Sequence, residues 1–272
     1  MKQRKLLSQR HPALYFLAVW LRRCKQYIEW YFGNKTFAKS KSEEKLPYRL
    51  KKHQSVLLRK LGNSDMQLQI NKVCNLKIAA QKINGILIRP GETFSFCKLV
   101  GRPTKKKGYL MGMELSFGEA VPGIGGGICQ IANLLNWIVL HSQLTITKKS
   151  QHSYDPFPDE GRVLPFGSGA AIFYNYIDYQ FVNNTDTTYQ ILLWFTETTI
   201  EGEFRCDKMP EFTYHVFEKN HQFLKNENIF YRRNEIWRDV ISKRTGNTIK
   251  TEMMVKNFAR VTYTPESFSD NN

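Results

Sequence analysis

No two of the five cysteines, Cys24, Cys74, Cys97, Cys129 and Cys206, form a Cys-x-x-Cys pair, and no Cys/His group has zinc-finger spacing. That removes the common small zinc modules and gives no reason to expect a metal or a cofactor. The odd count and wide scatter argue against a disulfide framework and fit a reducing compartment, or a thiol kept free. Long apolar runs are missing too. The longest, PALYFLAVWL at 12–21, has ten residues, against the ~20 that a membrane span needs. Basic residues precede it, as in a signal peptide, but RRCK follows at once with no small-residue cleavage site. The expected location is therefore cytoplasmic, or peripheral on the cytoplasmic membrane. Internal repeats and long low-complexity segments are absent as well.

Acidic residues are scarce at the front of the chain. Residues 1–60 hold 16 Lys/Arg and three Asp/Glu, a net of +13 out of +16 for all 272 residues. The body is nearly neutral and the front is a basic arm. Such an arm suits an anionic membrane surface, a nucleic acid or an anionic polymer, or serves only as a solubilising leader. Nucleic acid is the weakest of these partners, because no recognised nucleic-acid-binding module follows the arm. Leu14, Leu17, Leu21, Ile28 and Tyr31 recur at helical spacing. With Trp20, Trp30 and the flanking cations they describe a helix lying in a membrane interface, or one that packs on the body. KSKSEEKLP then reads as a polar linker.

Beyond the arm the pattern predicts an α+β fold. Leu68, Val73, Leu76, Ala80 and Ile83 mark a helix over 65–84, ended by Asn84-Gly85. ILIRPGETFSF reads as a strand broken by a Pro-Gly turn. ICQIANLLNWIVLH (128–141) reads as one buried helix, opened by a Gly-rich loop and a Cys, and packed on a mainly antiparallel sheet. After Leu144 come LTIT, AAIFYNYIDYQFVN, TYQILLWFTET and TIEGEFRC, rich in β-branched and aromatic residues. The tail reads as a β-meander closing on Thr-Gly-Asn. The expected division is a basic arm with an amphipathic helix and linker (1–60), an α+β core (61–205) and a β-rich C-terminal extension (206–272).

The chemistry concentrates at GIGGGICQIANLL, residues 123–135. A dinucleotide fingerprint would need Gly at 128, which is Ile, and a P-loop would need Gly-Lys-Ser/Thr. What remains is a candidate anion nest: Gly125, Gly126 and Gly127 accept backbone angles that point successive N–H groups into one concavity. Cys129 then sits in the first turn of a helix, where the dipole favours a thiolate. Such a nucleophile calls for a base. His141 lies twelve residues along the same helix, ~18 Å away. His152 has 11 further residues in which to return, up to ~36 Å of extended chain. Asp155 and Asp159 are placed to orient its ring, and Arg162 to hold a carboxylate. Glu92 is either an acid/base group or a solvated turn residue. Against all this stands the plain alternative of a small buried core Cys after a glycine turn.

NGILIRPGETFSF, VGRPTKKKGY, GIGGGICQIANLL, HSYDPFPDEGRVLPFGSGA and IFYNYIDYQFVNNT occur in that order. This series resembles the VanW family, over roughly residues 70–200. The resemblance implies a bacterial, cell-wall-related protein in a glycopeptide (vancomycin) resistance setting. Through larger VanW-domain proteins it implies L,D-transpeptidase chemistry, the Cys-dependent cross-linking of peptidoglycan stem peptides. It casts Cys129 as nucleophile and His152 as base. It adds Gln130, next to the glycines, as an oxyanion donor or a clamp on the helix start. Glu92, Arg162 and Ser168 would touch substrate. The chain departs from the family pattern at Cys97, at Ala132-Asn133 and at GSGAA, where relatives carry an acidic residue that Asp155 or Asp178 would have to replace. The partner implied is a stem peptide or its precursor, handled by acyl transfer or bound without reaction by an accessory module.

Overall fold

The computed structural model describes residues 11–58, 65–116, 119–151, 154–156, 158–159, 162–265 and 268. The fold is α+β, with helices early and a β-rich C-terminal region. Among the described side chains of the first helix, α1 (Pro12–Phe32), Val19, Gln26 and Trp30 are buried. Strand β1 (Thr36–Phe37) follows, then β2 (Tyr48–Val56). Helix α2 (Met66–Ile83) starts where Asp65 accepts the Gln67 N–H at 2.8 Å, an N-cap that satisfies an otherwise orphaned donor. Strands β3 (Leu87–Ile88) and β4 (Glu92–Ser95) lead into a short helix α3 (Phe96–Val100), capped by the Ser95 side chain.

Then come the hairpin β5 (Met111–Ser116) and β6 (Glu119–Ile124), helix α4 (Cys129–Leu140), and strands β7 (Thr145–Lys148) and β8 (Tyr154–Asp155). The chain continues through β9 (Gln180–Val182), β10 (Tyr189–Phe195) and β11 (Thr199–Cys206). It ends on three long strands, β12 (Phe212–Asn226), β13 (Ile229–Ser242) and β14 (Thr248–Val261). Among the described residues these strands form three four-stranded sheets, ordered β1-β4-β9-β7, β2-β11-β10-β3 and β12-β13-β14-β8, besides the β5-β6 hairpin.

Helix α4 is apolar almost all round, so it is buried almost all round. One side lies on the second sheet. Gly202 of β11 leaves room there for Leu134 and Ile138, which a Cβ would crowd. The central core joins Leu76, Ala79 and Ile83 of α2 to Ile131 and Leu135 of α4. It extends to Phe94 and Phe181, whose rings stack at 4.5 Å.

Three expectations change. Residues 48–56, read as part of the arm, pair along β11. Their Arg and Lys residues suit an outer strand, where charge discourages further pairing. Residues 170–183 do not run as one strand. They bend through Phe173–Ile177 bridging, with Asn175 at φ 53, and only 180–182 pair regularly. The α2 face also differs from a plain apolar stripe, because Gln69, Lys72 and Asn75 are buried on it.

Candidate functional site

Those polar residues of α2 face the glycine turn. Asn75 donates to the carbonyls of Leu110 (3.1 Å) and Gly126 (3.0 Å) and accepts the Leu110 N–H at 2.8 Å. One buried amide thus ties helix, hairpin and turn together. A Cβ on Gly126 would run into the Gly112 carbonyl of β5, and one on Gly127 (φ +91) into the Lys72 stem. The glycines are therefore required by close backbone approach. Two of the three expected anion donors are also engaged. The Gly125 N–H donates to Leu110 at 2.9 Å and the Gly126 N–H to Gly123 at 3.0 Å. The Gln130 amide donates to Ser55 Oγ (2.9 Å) and the Val56 carbonyl (2.8 Å). It clamps the start of α4 to β2.

Cys129 opens α4, half-buried, and its Sγ–H donates to the Ile172 carbonyl at 3.4 Å. Burial pushes the thiol above its ordinary value. The Glu114 carboxylate adds to the rise. Desolvation thus outweighs the helix-end field that would favour a thiolate. Glu114, on β5, is the acidic neighbour that sequence spacing could not supply. Its carboxyl lies over Gly123, and burial raises its pKa. Burial is the main cause of the upward shift of Cys97, and Asp178 and, least of all, Cys129 add to it.

The other expected site residues lie elsewhere or are otherwise engaged. His152 falls outside the described residues. Asp155 pairs with Arg162 (2.8 Å) and with buried Arg232 (3.1 Å). Asp159 joins the same pair of guanidiniums at 2.6 and 2.7 Å. Burial pushes Asp159 up, but the two arginines outweigh it and hold its carboxyl below its ordinary value. Two aspartates and two arginines so bind the loop around β8 to β13, and Arg162 is committed within that cluster. Glu92 accepts the Arg89 N–H at 2.8 Å and closes the Pro90-Gly91 turn. Ser168 is buried, its hydroxyl on the Pro165 carbonyl at 2.7 Å and its own carbonyl on Asn136.

Asp178, considered as a stand-in for the family's acidic position, is buried. It accepts from Ser95 Oγ, the Cys97 and Tyr179 N–H groups and Gln180. Among the described residues no group of three or more His, Cys, Asp or Glu is placed to hold a metal ion.

A groove of about 850 Å³ opens on the outer face of the second sheet. Its lining includes two lysines and two carboxylates, Lys41, Glu43, Lys45 and Glu203, with Leu192 and Trp194 as apolar wall. Alternation along β10 and β11 puts Leu192, Trp194 and Glu203 opposite the face that carries α4, so the sheet separates this groove from Cys129.

Residues 71–205 match the family model described as VanW like protein. The chain is 35% identical over 265 residues to the vancomycin B-type resistance protein VanW of Enterococcus faecalis (strain ATCC 700802 / V583), covering 97% of this chain and 96% of that one. The chain belongs to the VanW family. A second relative, the uncharacterized protein YoaR of Bacillus subtilis (strain 168), is 33% identical over 110 residues, 40% of this chain and 34% of its own. No solved structure matches. VanW membership associates the chain with vancomycin resistance, peptidoglycan and the cell wall. No helix among the described residues is long and apolar enough to cross a membrane.

Proposed function

We propose that the chain acts in glycopeptide resistance as an accessory module that binds peptidoglycan stem peptides or their precursors, in the groove of Lys41, Lys45 and Trp194. The observation that carries this reading is two lysines, Lys41 and Lys45, beside an apolar wall in one open groove, with Glu43 and Glu203 balancing their charge. A stem peptide ends in a carboxylate beside a methyl group, and those two features call for an ammonium and an apolar surface. Lys45 is exposed at the rim. Lys41 keeps donors beyond its 2.7 Å bond to the Gln81 carbonyl. Glu203, beside Leu192 on the same sheet face, pairs with Arg205.

The second reading is Cys-dependent acyl transfer of the L,D-transpeptidase type, with Cys129 as nucleophile and His152 as base. The place of Cys129 at the head of α4, behind the glycine turn, favours it. Against it stand the upward shift of the thiol and the engaged glycine amides.

Calorimetric titration of stem peptides ending in D-Ala-D-Ala or D-Ala-D-lactate separates the two. Binding survives Cys129→Ala and falls about tenfold or more in Lys41→Ala/Lys45→Ala, the loss of one charge-assisted contact. In parallel, iodoacetamide alkylates Cys129 slowly at neutral pH and faster only in the alkaline range. A covalent acyl adduct on Cys129, or alkylation half-maximal well below ~8.5, overturns the accessory reading in favour of acyl transfer.

A further inference from the structure

Helix α1 is amphipathic in reverse. At ~100° per residue, Leu14, Leu17, Trp20, Leu21, Ile28 and Tyr31 fall within one arc of about 120°, opposite the inward residues Val19, Gln26 and Trp30. All six are exposed, Ile28 by 59% and Tyr31 by 67%, and Phe32 continues the strip at 84%. The inward side is anchored by polar bonds. Lys148 reaches Gln26 (2.6 Å) and Glu29 (2.9 Å), Lys98 holds the Trp30 carbonyl (2.8 Å), and the Tyr27 and Tyr174 hydroxyls meet at 3.0 Å. The apolar strip is therefore presented outward by a fixed helix.

The charge around the strip selects the occupant. Glu29 is the sole acidic residue of α1, and Lys35 and Lys148 pair with it. Arg22 and Lys25 are exposed on the helix, and residues 1–10 carry four Lys/Arg and no Asp/Glu. A second copy of the chain would bring two sets of these cations together. An anionic bilayer accepts both the strip and the charge, with Trp20 and Tyr31 at headgroup level. At 21 residues the helix is ~31 Å long, and it does not qualify as a span.

We infer that α1 docks the protein flat on an anionic lipid surface, its Leu14–Leu17–Leu21–Ile28 strip entering the interface and the basic residues meeting the headgroups. This goes beyond ligand binding in the groove and does not depend on it.

The full chain is co-sedimented with vesicles of phosphatidylglycerol and phosphatidylcholine, and with phosphatidylcholine alone. Anionic vesicles bind it about tenfold or more tightly than neutral ones, and the difference shrinks at high salt. Leu17→Asp/Leu21→Asp/Ile28→Asp abolishes sedimentation. Arg22→Glu/Lys25→Glu, which leaves the apolar strip intact, weakens it by about fivefold or more per charge. Circular dichroism checks that both variants stay folded. Equal binding to the two vesicle types, no binding to either, or a vesicle-independent dimer in sedimentation velocity that the Asp variant dissociates would each overturn the inference.

Discussion

Replacing Asp178 by Ala strikes the segment that carries the acceptor of Cys129. The Asp178 carboxylate takes four donations, from Ser95 Oγ (2.6 Å), the Cys97 N–H (2.9 Å), the Tyr179 N–H (2.8 Å) and Gln180 Nε2 (2.8 Å). All four donor residues are buried, so water cannot take over. Each buried donor left unpaired costs about 1–3 kcal/mol. The two backbone N–H groups cannot turn away, whereas Ser95 and Gln180 can partly relax. Counting only the backbone pair gives a loss of about 2–6 kcal/mol, a large share of the ~5–15 kcal/mol that holds a typical domain together. Asp178→Asn keeps one acceptor oxygen and turns an NH₂ toward the other donors, so it falls between the two. Urea unfolding followed by circular dichroism measures the change. A shift below about 1 kcal/mol in Asp178→Ala, with unchanged slope, would refute the view that this carboxylate organises α3 and the 172–178 bend.

Acid should find a second weak point at His141. Burial holds its pKa down at about 4 against an ordinary 6.5, while Nδ1 meets the Trp137 carbonyl at 2.8 Å. Between pH 6.5 and 4 the unfolded chain takes up a proton that the folded one refuses, so stability falls with acidification by about 1.4 kcal/mol per pH unit from this group. His141→Gln removes that component, and a urea midpoint as pH-sensitive as the parent's would contradict it. Gly126→Ala forces a methyl into the Gly112 carbonyl, an overpacking worth about 1–3 kcal/mol or more; a variant with undiminished Tm would show that the turn and β5 are not in close register.

Local pattern made part of this molecule legible. Helix α4 follows from an unbroken apolar run after glycines, because a segment buried all round has no polar face to lose. The expected limits of 128–141 differ from Cys129–Leu140 only at the ends. The C-terminal strands were visible in their β-branched and aromatic alternation, and the family in five ordered motifs. The inner face of α2 was not. Gln69, Lys72 and Asn75 look like solvent positions until the glycine turn arrives to bury them. The bend at 171–177 was equally hidden, since IFYNYID has the composition of a strand. Its path is decided by Asp178 gathering donors from β4 and α3.

The same division runs through the candidate site. By itself the sequence determined that a cysteine heads a helix behind three glycines, that the front of the chain is basic, and that the chain is a VanW protein. These are properties of neighbours along the chain. Only the tertiary structure decided what those groups touch. It engages two of the glycine amides and closes the Cys129 thiol onto Ile172. It sets the Glu114 carboxyl over Gly123 and turns the apolar strip of α1 away from the body. Each outcome joins segments far apart in sequence, where burial and hydrogen-bond partners, rather than spacing, set the energy of a group.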